Sequence, residues 1–180
     1  MRARPAARER DFMKISVPAV SVDIFTHVLG NLSAILEKGT AHAAAKKFDP
    51  NVLVASRLAP DMLPLAKQVQ IACDIAKNGA ARLAGLEAPR FEDNEKTLEE
   101  LRTRIAKTID YLKTIPASAF EGAEDRDIKV PAGERTLEFK GLAFLQRWAL
   151  PNVFFHATTA YNILRHNGVE IGKRDYLGSP

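Results

Sequence analysis

Residues 150–168 read LPNVFFHATTAYNILRHNG. The segment is mostly apolar and ends in Asn167-Gly168, a helix stop. Extended back to Gly141, it projects as one long helix, 141–166. Leu145, Trp148, Asn152, His156, Thr159 and Ile163 fall in one column, with Ala149, Val153, Ala160 and Leu164 beside it. Arg147, Thr158, Asn162 and Arg165 fall on the opposite side, toward solvent. This wheel predicts an inward face that carries two polar side chains, Asn152 and His156, one turn apart. Pro151 has no N–H, so the pattern also predicts a kink, with the Arg147 carbonyl losing its helical partner.

Working outward, RDIKV-PAGE-RTLEFKG alternates on both sides of a Pro/Gly turn, with Ile128 and Val130 on one arm and Leu137 and Phe139 on the other. That is a small β-hairpin, which needs a helix or a partner chain to cover it. Upstream, Thr97-x-x-Glu100 forms a capping box ahead of Leu98, Leu101, Ile105, Ile109 and Leu112, with Glu100 and Arg104 as an i,i+4 pair. A further helix is expected from about Asp61 to Gly85. Its apolar stripe runs from Met62 to Leu83, and Lys67, Gln70, Asp74 and Lys77 lie on its other side. The first helix is expected over Pro18–Lys38, capped by Ser16 and closed by Gly39, with a short helical piece (THAAAKKF) after it. The fold class is therefore all-α: a four-helix up-down bundle with one long crossover connection, placed at residues 39–60, and a small β-hairpin before the last helix.

A chain of 180 residues is most simply one domain, read here as 13–180. Residues 1–12 hold four arginines against two acids, half of the net charge of +4, and little apolar content. They are expected to be a disordered basic extension. The +2 left on the body is no footprint for a nucleic acid, and no apolar run is long enough for a membrane span. The lone Cys73 rules out an internal disulfide, fits a reducing cytoplasm, and sits in an apolar helical stretch where a buried inert thiol is expected.

The inward pair Asn152 and His156 has two readings. One is a core imidazole bonded to Asn152, a neighbouring carbonyl or a water. The other is a ligand pair, because residues at i,i+4 on a helix face can share one ion. Asn is a poor zinc-type ligand, so a third donor would have to come from His27, Gln68 or Asp61. No Ser-His-Asp arrangement, dinucleotide fingerprint or zinc cysteine pattern is present.

The segments RLAPDMLPLAKQVQIACD (57–74), FEDNEKTLEELRTRI (91–105) and LPNVFFHATTAYNILRHNGVEIGKRDYLG (150–178) resemble an uncharacterised bacterial branch of the DinB/YfiT-like superfamily. In members with metal, three histidines hold a divalent cation, often nickel or zinc, one on the second helix and two as H-x-x-x-H on the fourth. The resemblance aligns the last of these with His156, the first of the pair with Asn152 and the second-helix histidine with a position near Gln68. One ligand of three is kept. That implies a degenerate metal site with no bound cofactor, nickel or zinc at His156 being the alternative.

The functional expectation is a small-molecule binder lined by Gln68, Trp148, Asn152, His156 and Tyr161. The alternative is an enzyme, such as a thiol-dependent S-transferase of the superfamily's kind, with His156 as catalytic base or residual metal ligand. A third reading is a structural homodimer module. The resemblance favours a homodimer.

Overall fold

The computed structural model describes residues 15–179. The expected N-terminal extension lies outside these residues. Ser16 Oγ accepts from the Ala19 amide at 3.4 Å, capping a turn rather than a helix, and α1 follows over Val22–Lys46. Gly39 does not end it. A Cβ there would lie 3.3 Å from Leu164 and 3.5 Å from Leu98, so glycine is the residue that lets three helices meet closely. The alanines that follow are strong helix formers and carry α1 on to Lys47, whose left-handed conformation (φ 59°) stops it.

A short helix α2 (Asn51–Ala55) precedes α3 (Leu65–Ala84). The expected start at Asp61 is four residues early. Pro64 is the N-cap, extended at ψ 167°, so Asp61–Leu63 stay out of the helix and the Leu63 carbonyl is free to meet a side chain. Helix α4 (Leu98–Thr114) carries the capping box as expected. Glu100 is fully used there, accepting from the Lys96 and Thr97 amides at 2.6 and 3.0 Å. It forms no pair with Arg104, which is bound elsewhere.

The hairpin is β1 (Asp127–Ala132) and β2 (Arg135–Lys140), in register Ile128↔Phe139 and Val130↔Leu137. Its two-residue loop places Gly133 first at φ 61°, the positive value a type II′ turn demands. Ile128 and Val130 are buried, and Phe139 packs on Phe144 and Trp148 with ring centroids 6.1 and 6.0 Å apart, so the last helix covers the hairpin.

That last helix has three parts: α5 (Gly141–Phe144), a π turn at Leu145–Ala149, and α6 (Leu150–His166). The expected disruption near Pro151 is thus a widened turn just before the proline, in which the Leu150 amide reaches back to the Leu145 carbonyl. After α6, Val169 and Ile171 are buried and a short α7 (Lys173–Leu177) lies against α1. It is held there by Asn31 to the Tyr176 carbonyl (3.0 Å) and by Lys38 to Asp175.

Contacts between helices fix their directions. Gly79 of α3 meets Phe25 and Ala149, whereas Gly39 of α1 meets Leu164 and Leu98. Helices α1 and α6 therefore run one way, and α3 and α4 run the other: up-down-down-up. Residues 47–64 join α1 to α3 at the same end of the bundle, so they are not the long crossover. The crossover is 85–97, which must return along the whole of α3, a 20-residue helix about 30 Å long. Thirteen extended residues reach that far.

This crossover changes the reading of one helix face. Gln70 and Lys77, placed by the sequence on the side away from the apolar stripe, are buried beneath it. Lys77 donates to the Pro89 carbonyl at 2.6 Å and sits 4.3 Å over the Phe91 ring, and Gln70 donates to Glu95 at 2.8 Å. Arg104, with a side chain 1% exposed, pairs with Asp74, Asp93 and Glu95 at 2.9–3.0 Å and donates to the Glu92 carbonyl. Beside this cluster Cys73 is buried and its thiol pKa is pushed up to about 12 by desolvation, an inert group as expected.

Candidate functional site

The free Leu63 carbonyl starts the site. Gln68, one turn into α3 and buried, donates its Nε2 to that carbonyl at 3.0 Å. This turns Oε1 toward α6, where it meets His156 Nδ1 at 2.7 Å. An amide oxygen can only accept, so Nδ1 carries the proton and Nε2 keeps its lone pair. Nε2 has no partner among the described residues. The ring is half-buried, and desolvation pushes its pKa below the ordinary value of 6.5, holding it neutral. Phe155, 58% exposed, stands edge-on to the imidazole at 5.2 Å. The product is an oriented imidazole, backed by a neutral amide and presenting an acceptor nitrogen beside an exposed aromatic ring.

The other expected lining residues divide. Asn152 does not bond His156. Its Nδ2 donates to the Trp148 carbonyl at 2.7 Å, satisfying a helical acceptor beside the proline. Asn152 and Trp148 line a separate cleft of about 300 Å³ toward the hairpin, together with Ile75, Asn78, Arg82 and Val130. Tyr161 is turned away from both places and packs against Tyr176 of α7, ring centroids 6.0 Å apart. His27 is far from His156 in use as well as in sequence: its Nε2 bonds the Leu177 carbonyl at 2.6 Å. Asp61 is exposed in the loop before α3.

The family model for a domain of unknown function, DUF1993, matches residues 19–177. The chain belongs to the DUF1993 family. A solved structure described as a DinB family member protein from Shewanella denitrificans is 48% identical, covers 89% of this chain and 91% of its own, and superposes with a TM-score of 0.84. No curated protein matches the chain. This DUF1993 chain thus has a DinB-like fold, as its helical segments indicated, and the family description assigns it no activity.

The metal of the wider superfamily can be tested against the donors present. Here they are one imidazole and two neutral amides. One amide is committed to the Trp148 carbonyl and the other to His156 itself. No three His, Cys, Asp or Glu side chains converge among the described residues. Zinc-type ions take imidazole, thiolate or carboxylate ligands, and this set supplies only one. The residues do not fit such an ion.

Residue spacing had no means of showing two features of this region. Arg82 and Asn78 share a helix face at i,i+4, but nothing in the sequence distinguishes them from ordinary solvated positions. The burial of Lys77 and Arg104 depends on where the 85–97 crossover runs, which local pattern does not encode.

Proposed function

We propose that this chain is a small-molecule-binding member of the DinB-like proteins that has given up the superfamily's metal. The observation that carries the reading is the relay Leu63 carbonyl, Gln68 amide, His156 imidazole. It fixes a neutral ring with an acceptor at Nε2. A neutral acceptor beside the exposed Phe155 ring suits an uncharged ligand with one O–H or N–H donor on an apolar body.

The test is metal analysis of protein purified without a histidine tag, followed by a thermal-shift screen of neutral alcohols, amides and phenols. The reading expects substoichiometric nickel and zinc, and a stabilising hit that His156→Ala removes. Stoichiometric metal lost in His156→Ala would overturn it.

A second reading shares the same geometry. A ring oriented through Nδ1 and kept unprotonated at neutral pH is also how a general base is built, with Gln68 in the orienting role. It is favoured over the first if a bound ligand is turned over and His156→Ala abolishes turnover while binding survives.

A further inference from the structure

Arg82 sits in the last turn of α3, half-buried, with no hydrogen-bonding or ion-paired partner among the described residues. Burial disfavours its charge, and no carboxylate offsets the effect. A cation at a helix C-terminus gains something from the dipole, but a fully hydrated lysine or arginine would gain as much without being partly desolvated. Its surroundings are also specific. The cleft it lines, about 300 Å³, has Asn78 one turn back on the same face, the Trp148 indole and Ile71 and Ile75 as apolar walls, and the hairpin residues Val130 and Pro131 opposite. This volume is at the lower end of the range of about 300–1,000 Å³ for small-ligand sites. Asp74, the acid in the wall, is already neutralised by Lys77 at 3.2 Å and Arg104 at 3.0 Å. Asn152 has its Nδ2 committed to Trp148, which leaves Oδ1 to accept.

We propose that this cleft between α3, the last helix and the hairpin binds a small aromatic carboxylate. The guanidinium of Arg82 takes the carboxylate, with Asn78 Nδ2 as a second donor. The ring lies against Trp148 and Ile75, and Asn152 Oδ1 accepts from a hydroxyl or N–H where the ligand carries one. Arginine and an amide at i,i+4 spacing supply the fork and the side donor that a planar carboxylate matches. This site stands apart from His156, which does not line the cleft, so either reading can fail without the other.

Trp148 is the single tryptophan of the chain, so its emission reports on this cleft alone. The experiment titrates the full chain with benzoate and phenylacetate, then with benzamide, acetate and inorganic phosphate, following Trp148 fluorescence. The expected result is a saturable change with the aromatic carboxylates, and none with benzamide, acetate or phosphate over the same range. Arg82→Gln should weaken the response about tenfold or more, the size of a lost charged hydrogen bond. His156→Ala should leave it intact. A saturable response of equal strength to benzamide, acetate or phosphate would overturn the proposal, as would no response to any carboxylate. The wild-type comparison of benzoate with benzamide decides the matter even if Arg82→Gln folds poorly.

Discussion

Replacing Gln68 by Glu tests the relay at its weakest point, the inferred position of one proton. In the wild-type protein the 2.7 Å contact requires the Nδ1–H tautomer, and desolvation holds the pKa below 6.5. A carboxylate at the same place keeps Nδ1 protonated and adds an attraction that exists only for the imidazolium. With charge centres about 4 Å apart, that attraction is about 1 kcal/mol in a water-like medium and about 4 kcal/mol at an effective dielectric of 20. The corresponding pKa rise is about 1–3 units. Because His156 is half-exposed, screening favours the lower part of this range, about 1–2 units. The assay is a long-range ¹H–¹⁵N correlation of the histidine side chains over a pH titration, with His156 assigned from its absence in His156→Asn. The expected result is Nδ1–H in the wild type, with a midpoint below 6.5, and a midpoint higher by about 1–2 units in Gln68→Glu. The same substitution deprives the Leu63 carbonyl of its donor, which should cost about 1–3 kcal/mol of stability. An Nε2–H tautomer in the wild type, or an unmoved midpoint in a folded Gln68→Glu protein, would refute the reasoning.

Other perturbations act on the same kinds of contact. His156 binds its proton less readily folded than unfolded, so stability should fall as pH drops through and below about 6.5, and His156→Gln should remove that part of the slope in denaturant melts at about pH 7.5 and about pH 5.5. Arg104→Met leaves Glu95, whose side chain is 10% exposed, without its cation; breaking such a buried pair costs about 3–5 kcal/mol and should lower Tm by about 6–20 °C in a domain of this size. In Gly141→Ala the added Cβ would collide with the Ala123 carbonyl, a backbone atom that cannot swing aside, so a loss of about 3 kcal/mol or more is expected in chemical denaturation.

Much of this architecture was legible because its determinants are local. Thr97 and Glu100 are three residues apart and cap their own helix, and the hairpin register follows from alternation around a two-residue turn. The meeting of Gln68 with His156 was legible as a family resemblance, not as a spacing. Gly39 misled because a glycine that ends a helix and one that admits a neighbour's Leu164 look alike until the neighbour is in place. Glu100 and Arg104 were at pairing distance along the helix, yet each had a stronger partner supplied by the preceding crossover. For Glu100 that competitor is its own capping box, three to four residues away, whereas Arg104's partners depend on how the crossover folds back over α3.

The π turn at Leu145–Ala149 has a consequence for how the two ends of the last helix are related. Relative to an unbroken α-helix it contributes one additional residue, equivalent to about 100° of rotation between α5 on one side and α6 on the other. The hairpin side of the helix and the His156 side are thus aimed independently, as if two fittings shared one shaft through an offset coupling. Removing a single residue from 145–149 would restore regular hydrogen bonding while turning Phe144 away from Phe139 or His156 away from Gln68. The offset is what allows one helix to close the hairpin and serve α3 at the same time.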